Sequence, residues 1–489
     1  MRVKVLSKSG EREYSCQSGE NLLSFLQERG YAVAANCGGN GKCGKCRVRV
    51  LEGDFENLSD GYVLACRETI PGDCAVEVPV AEGGGLTYST SADFATDGES
   101  GWGIALDLGT TTLAFALVDL ATGKTLETIG ELNAQGRYGA DVLSRIAAAD
   151  RGQAQALQSC VLRQTGEAIA RFSEKFSLKM PKRLVVCGNP TMLHLFLGRE
   201  VHGIGQYPFR TAFLDTVRVS GESLGLNVGE VVVLPSVSAY FGADIVAGGL
   251  CTQVCRGVNF LADIGTNGEM LLHAGGKLSA TSTAAGPCFE GAGIECGTGG
   301  VTGAIDRVFE REGELVCHVI GGGKATGICG AGLVDAVALM YRKGILDGSG
   351  AFTNGETRFY LRDKIYVSQR DVRAFQLAKS AICAGIRVLL SRAGVPFERL
   401  ENLYVAGGLG FYLNIENALE IGLFPAELKG RIVAVGNTAL AGTRNCLCSG
   451  AQLKEAERMA KETEYIDLSA SPEFMESYIE NMGFGGENA

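Results

Sequence analysis

The sequence predicts a mixed chain: a small α+β unit at the front, a short tether, and a large duplicated α/β unit behind it. Three observations carry this. Asn36 to Cys46, NCGGNGKCGKC, packs three cysteines into a glycine-rich loop. Residues 83–100 are poor in apolar residues and rich in Gly, Ser and Thr, the composition of a flexible connection. Beyond them, Ile104 to Thr125 and Phe260 to Thr281 repeat one pattern of strand, tight turn, strand, turn, strand.

The totals narrow the setting. At 489 residues there is room for three ordinary domains. The 69 glycines, about twice the usual share, follow no three-residue period, so they point to backbone-lined ligand loops. A net charge of −10 and a pI near 5.2 argue against nucleic acid or an anionic membrane as the partner, since both select basic patches. The start, MRVKVLSKSGEREYSC, alternates polar and apolar residues and lacks the apolar core of a secretory signal. The most apolar later window, Val231 to Leu250, is broken by Pro235, Gly242 and Asp244 and predicts no membrane span. A cytoplasmic protein is expected. Seventeen cysteines, an odd number, suggest metal ligation and free thiols in a reducing, anaerobic setting.

In the first unit, residues 1–82, Arg2 to Leu6 and Glu11 to Cys16 predict a hairpin around Ser9-Gly10. Asn21 to Arg29 predicts a helix with Ser18 as N-cap and Gly30 past its end. The cysteine loop follows, with glycines Gly38, Gly39, Gly41 and Gly44 letting the backbone wrap closely around a cluster held by thiolates. Arg47 to Leu51 and Ala75 to Val80 predict strands, with Cys66 between them. This order resembles the 2Fe–2S ferredoxins of the plant and adrenodoxin type, which are β-grasp domains. Cys37, Cys43, Cys46 and Cys66 match their ligand positions, with the five-residue first gap of the adrenodoxin-like branch. A zinc knuckle is the alternative for the loop, Cys74 is an alternative fourth ligand, and Cys16 is expected to be packing.

In each repeat an apolar strand ends in Asp-x-Gly-Thr (Asp107, Gly109, Thr110; Asp263, Gly265, Thr266), and a Gly-Lys turn precedes the third strand. Glycine lets a phosphate approach the backbone, threonine hydroxyls and N–H groups donate to it, and each aspartate holds Mg²⁺ through its waters. A nucleotide is expected between two similar halves. Leu403 to Gly410, LYVAGGLG, adds a strand running into paired glycines. The set resembles the superfamily of acetate and sugar kinases, Hsp70 and actin. That resemblance assigns Asp107, Gly109, Thr110, Thr111 and Thr112 to one phosphate turn. It assigns Asp263, Gly265, Thr266, Asn267, Gly268 and Glu269 to the other, and Gly407 and Gly408 to adenosine. The expected units are 101–255 for the first lobe, 256–455 for the second, and 456–489 for a C-terminal helix and tail.

Further stretches are Tyr138 to Arg145 (YGADVLSR), Gly188 to Leu195 (GNPTMLHL), Gly286 to Gly291 (GPCFEG), Gly327 to Asp335 (GICGAGLVD) and Val435 to Leu440 (VGNTAL). Together with the cysteine loop, and on through Tyr465 to Phe474, they resemble the ATP-dependent reductive activators of corrinoid proteins. The chain departs in one respect: the region between its ferredoxin and kinase-like parts is short, where long members carry an extra linker domain. The resemblance implies a 2Fe–2S cluster, ATP and Mg²⁺ as cofactors, a corrinoid protein and an external low-potential electron donor as partners, and leaves a homodimer open. The activity it implies is ATP-dependent reduction of cob(II)amide to cob(I)amide. The alternatives are an activator of another low-potential enzyme such as a dehydratase, a small-molecule kinase with a redox-sensing ferredoxin, and an actin-like or Hsp70-like scaffold.

Among single residues, Asp107, Asp263 and Glu290 are the candidate catalytic carboxylates, and Glu269 lies in a phosphate turn. Asp141 and Asp244 share an aromatic-Gly-Ala-Asp-aliphatic context, in which each either orients the attacking water or caps a helix. His194, in an apolar run, is expected in the core rather than on cobalt. Cys288, Cys296 and Cys329 are expected as buried thiols, although related dehydratase activators carry cluster ligands in this half. Gln164 to Leu178 and Ala451 to Thr463 predict helices covering a sheet.

Overall fold

The computed structural model describes residues 1–7, 10–16, 19–29, 31, 33, 46–56, 61–78, 94–139, 141–468 and 471–485. The N-terminal unit contains β1 (Arg2–Ser7), β2 (Gly10–Ser15), α1 (Leu22–Glu28), β3 (Arg47–Glu52), β4 (Tyr62–Leu64) and β5 (Cys74–Glu77) in one sheet of order β2-β1-β5-β3-β4. Alternation decides its inner face: Val3, Val5, Val48 and Val76 are buried against Leu22, Phe25 and Leu26 of α1. The helix starts one residue later than expected because Asn21 caps it, its Oδ1 accepting from the N–H groups of Leu23 and Ser24 at 3.1 and 3.3 Å. The expected cap Ser18, the stop Gly30 and the turn residue Ser9 lie outside the described residues.

The next unit runs β6 (Trp102–Leu108), β7 (Thr112–Asp119), β8 (Thr125–Leu132), α2 (Val142–Ala148), α3 (Ala154–Phe176), β9 (Arg183–Gly188), α4 (Pro190–Phe196), β10 (Val217–Ser220), β11 (Glu230–Val233) and α5 (Ala243–Thr252). After it come β12 (Asn259–Ile264), β13 (Gly268–Ala274), β14 (Lys277–Thr283), β15 (Ala304–Arg311), β16 (Glu314–Val319), β17 (Gly327–Ile328), α6 (Gly330–Arg342), β18 (Arg358–Arg362), β19 (Ile365–Ser368) and α7 (Gln369–Arg392). The chain ends with β20 (Asn402–Ala406), α8 (Ile415–Glu420), β21 (Ile432–Gly436), α9 (Thr438–Cys448), α10 (Gly450–Glu462), β22 (Thr463–Tyr465) and α11 (Pro472–Glu480).

Two six-stranded sheets, β10-β11-β9-β6-β7-β8 and β21-β20-β12-β13-β14-β22, realise the repeat. In each, the first repeat strand pairs antiparallel with the second and parallel with a later strand, β9 in one and β20 in the other. The strands read as near-continuous apolar runs because both faces of each sheet are covered. In β12 and β13, Leu261 and Leu271 face the core shared with the first sheet, while Phe260, Ala262, Met270 and Leu272 face the core formed with α6 and α7. Helix α7 has the length and composition of a membrane span, yet 78% of that window is buried inside the protein.

Two expected boundaries change. Helices α9 and α10 follow the second sheet in sequence but pack into the first core, through Leu440, Cys446, Leu447, Leu453 and Met459. The chain crosses back over because α5 and α9 lie directly against each other between the sheets. A Cβ on Gly248 would sit 2.8 Å from Thr438 Oγ1, and one on Gly442 would run into the Ala247 carbonyl. The stretch from 463 onward is also more than a tail, since β22 extends the second sheet beside β14 and α11 lies on α7.

The second concerns the tether, for which a flexible connection and an ordered surface loop are equally expected. Residues 94–100 are laced to the first lobe. Asp97 donates its N–H to the Cys448 carbonyl at 2.9 Å and accepts from the Gly450 N–H at 2.8 Å, and Thr96 donates to the Ala121 carbonyl at 2.9 Å. Arg444 lies over the Phe94 ring at 5.4 Å. Residues 83–93 of the expected linker lie outside the described residues.

The α5–α9 contact gives a prediction of sign. Gly442→Ala gains about 1 kcal/mol of helix propensity but forces a methyl into the Ala247 carbonyl. We expect a net loss of about 1–3 kcal/mol in chemical denaturation of the two-lobed unit; a stabilised variant would contradict the close contact.

Candidate functional site

The first turn is built by the close end of the β6–β7 hairpin. Asp107 is the penultimate residue of β6, and the Gly109 N–H donates to the Thr112 carbonyl at 3.0 Å. Glycine is required at 109 because a Cβ there would stand 2.6 Å from that carbonyl oxygen. Three side chains brace the loop from behind. Asn133 Nδ2 donates to the Gly109 carbonyl at 2.9 Å, Arg145 Nη2 to the Thr110 carbonyl at 2.6 Å, and Asn189 Nδ2 to Thr110 Oγ1 at 2.9 Å. Thr111 and Thr112 are exposed in front.

The second turn follows the same plan. Asp263 is the penultimate residue of β12 and pairs in register with Glu269, and the Gly265 N–H donates to the Asn267 carbonyl at 3.0 Å. Here Thr266 donates its hydroxyl to Glu290, which stands in the short helical turn Pro287–Glu290 after β14. Gly268 begins β13 where a Cβ would sit 2.7 Å from Thr283 Oγ1. From β20, Gly407 takes φ 87° and leaves no room for a side chain, since a Cβ would lie 2.7 Å from Asp263 Oδ1. Gly408 faces open space. The structure thus brings the paired glycines against the second turn.

The carboxylates form one electrostatic group. Burial pushes Asp107 up to about 6, Asp244 up to about 7 and Asp263 up to about 8. Asp107 further raises Asp244; Asp244, Asp107 and Glu290 raise Asp263. Glu269 is driven well up by burial and by Asp244 and Asp263, and Glu290 is raised by burial against the opposing Thr266 hydrogen bond. Acids crowded this way favour a cation among them. Among the described residues no three His, Cys, Asp or Glu side chains converge on one metal position. The arrangement therefore suits Mg²⁺, which keeps several waters and takes phosphate oxygens as ligands.

Of the two aromatic-Gly-Ala-Asp stretches, only one reaches this group. Asp141 caps α2, its Oδ1 accepting from the Ser144 N–H at 2.8 Å while Ser144 Oγ accepts from the Asp141 N–H at 3.1 Å. Asp244 instead opens α5 beside Asp107. Sequence reasoning missed Asn437, whose Nδ2 donates to Asp107 Oδ2 at 2.8 Å, and Cys187, whose thiol donates to Oδ1 at 3.8 Å. It also missed the bracing roles of Asn133, Arg145 and Asn189. Arg145, Asn189 and Asn437 lie in stretches whose motifs were noticed without a role; Asn133 carries no sequence signal.

At the front of the chain, Cys46 and Cys66 are brought together with their sulfurs 3.2 Å apart. Cys46 is buried just before β3, and its carbonyl accepts from the Ala65 N–H at 2.8 Å. Asn21 Nδ2 fixes the other side by donating to the Cys66 carbonyl at 3.2 Å. Two touching thiols of this kind fit a thiolate-held 2Fe–2S group. Cys74 sits in β5 opposite Val3, its thiol pushed up to about 11 by burial and by nearby Cys16. Cys37, Cys43 and the loop glycines lie outside the described residues.

His194 is a core residue. Its Nδ1 donates to the Pro190 carbonyl at 2.7 Å, its Nε2 accepts from the Ala212 N–H at 3.0 Å, and its ring stacks on Phe213 at 4.2 Å. Cys288 and Cys329 are buried, and Cys296 is partly exposed with its sulfur 3.9 Å from the Lys364 carbonyl.

Comparison with known proteins agrees over the whole chain. Residues 5–70 match the 2Fe-2S iron-sulfur cluster binding domain, 102–256 the RACo middle region, and 257–489 the C-terminal domain of RACo, the ASKHA domain. The chain is 33% identical over 417 residues to the corrinoid activation enzyme RamQ of Eubacterium limosum, covering 78% of this chain and 70% of that one. It is 28% identical over 419 residues to the Co(II) methylated amine-specific corrinoid protein reductase of Methanosarcina barkeri, covering 77% and 76%. The solved structure of a reductive activator for corrinoid, iron-sulfur protein superposes with a TM-score of 0.73 at 29% identity, covering 99% and 98%.

Two predictions follow from the placements. Cys66→Ser should abolish the visible absorption of the reconstituted cluster and Cys74→Ser should keep it; the reverse pattern would move the fourth ligand to Cys74. Burial lowers the His194 pKa, so the folded protein holds the neutral ring while the unfolded chain protonates below about pH 6.5. Stability from this residue is full above that pH and is lost as the pH falls. His194→Gln should cost about 1–2 kcal/mol at pH 7.5, with the gap narrowing toward pH 5.5 in urea titrations.

Proposed function

Because the chain belongs to the family of ATP-dependent reductive activators of corrinoid proteins, we propose that it uses ATP to return a partner corrinoid protein from cob(II)amide to cob(I)amide. The observation that carries this reading is the presence on one chain of a thiol pair suited to an iron–sulfur cluster and two phosphate turns backed by carboxylates. Neither phosphoryl transfer to a metabolite nor filament assembly calls for an electron carrier.

Energetics explain why both parts are needed. A plant-type cluster has a potential near about −400 mV, and the cob(II)amide couple is harder to reduce. Each ~59 mV of deficit for one electron corresponds to about 1.4 kcal/mol. ATP offsets this only by interacting differently with two arrangements of the protein and its partner. Two lobes meeting on a nucleotide provide such a pair of states.

The roles follow from position. When bound, a 2Fe–2S cluster supplies one-electron transfer, and Cys37, Cys43, Cys46 and Cys66 would hold it. Asp107, Gly109, Thr110, Thr111 and Thr112 would take phosphate oxygens from one side. Asp263, Gly265, Thr266, Asn267, Gly268 and Glu269 would take them from the other, with Gly407 and Gly408 against adenosine. Asp107 and Asp263 would hold Mg²⁺ through its waters. Glu290, held by Thr266, and Asp244, beside Asp107, would orient the attacking water. The reading also implies an external low-potential electron donor and a cytoplasmic setting, and a homodimer is the assembly to test by sedimentation.

The test is anaerobic: reduced protein is mixed with a cob(II)amide protein, with and without Mg-ATP, and the cobalt spectrum is followed. Cob(I)amide is expected only with ATP. Asp263→Ala should abolish this while leaving the visible spectrum of the cluster intact, and Cys43→Ser should abolish it while ATP binding persists. Reactivation by a folded, cluster-free Cys43→Ser protein given a physiological donor would overturn the proposal.

A further inference from the structure

The two phosphate turns look alike in sequence but are supported by opposite charge. Arg145 of α2 is 1% exposed, and its guanidinium meets only neutral acceptors. Nη2 donates to the Thr110 carbonyl at 2.6 Å, Nε to the Gly139 carbonyl at 2.9 Å, and Nη1 to Gln135 Oε1 at 3.2 Å and Met192 Sδ at 3.0 Å. Asp141, one turn earlier, caps the helix and acts on the guanidinium only through space, and burial outweighs it, lowering the Arg145 pKa to about 10. A buried cation whose one anionic neighbour does not offset its desolvation is disfavoured unless something nearby supplies more negative charge.

Its shortest contact is with the phosphate turn. A carbonyl that accepts from a cation polarises its peptide, so the N–H on the far side, that of Thr111, becomes a stronger donor. Asn189 adds to this: by donating to Thr110 Oγ1 at 2.9 Å it leaves the hydroxyl hydrogen free to point at a ligand. In the second turn the corresponding hydroxyl, that of Thr266, already donates to Glu290. One turn is therefore wired to a cation and the other to an acid.

We propose that Arg145 is a positioning residue for the nucleotide, acting through the Thr110–Thr111 peptide to place the phosphate charge on the first turn. This rests on the reading that the turns bind ATP. The test is the affinity of the full-length protein for ATP, ADP and AMP by calorimetry, in the parent, Arg145→Met and Arg145→Lys. Arg145→Met is expected to weaken ATP about ten- to a hundredfold, ADP less, and AMP within about twofold, with Arg145→Lys restoring part of the ATP affinity. Equal losses for all three nucleotides, or no loss, would assign Arg145 a purely structural role and overturn the proposal. Should Arg145→Met not fold, the same ordering in Arg145→Lys decides the matter. A parent protein that binds none of the three would instead refute the ATP reading itself.

Discussion

The contact on which the two-lobed part depends is the crossing of α5 and α9. Each helix follows a strand of a different sheet, and the two lie against each other in the core between the sheets. Gly248 and Gly442 let the backbones approach until a single methyl has no place. From the ends of these helices come Asp244 and Asn437, which stand beside Asp107. The geometry that joins the lobes is also the geometry that completes the site.

Electrostatics sharpen this. Burial raises all five acids, and neighbouring carboxylates raise three of them further, Asp244, Asp263 and Glu269. Alone, such a group repels a polyphosphate; with a divalent cation it becomes a clamp on one. Arg145, Asn133 and Asn189 supply the compensating positive character from the opposite side of the first turn.

What was legible in the sequence was local. The strand, turn and strand around Asp107 and Asp263 are encoded within about twenty residues each, and the glycines at 109 and 407 mark places where a Cβ would meet a backbone carbonyl. Cys46 and Cys66 could be grouped because the order of elements resembles the 2Fe–2S ferredoxins, a resemblance that left Cys74 as the alternative to Cys66. The return of α9 to the first core was not legible, because its apolar surface carries no label saying which sheet it will cover. The capping role of Asp141 and the site role of Asp244 were indistinguishable for a related reason: identical neighbours in sequence give no information about which helix end faces the other lobe. Arg145 was hidden by its type, since a buried arginine with neutral acceptors looks like any surface arginine in a one-dimensional string.

The stitching of residues 94–100 to the junction of α9 and α10 has a consequence for encounter. Only residues 79–93 separate that anchor from the last described residue of the cluster-bearing unit. Whatever path they take, they span at most about 50 Å. The cluster-bearing unit therefore lies no farther than that from its anchor on the first lobe, which bounds its distance from any partner seated there.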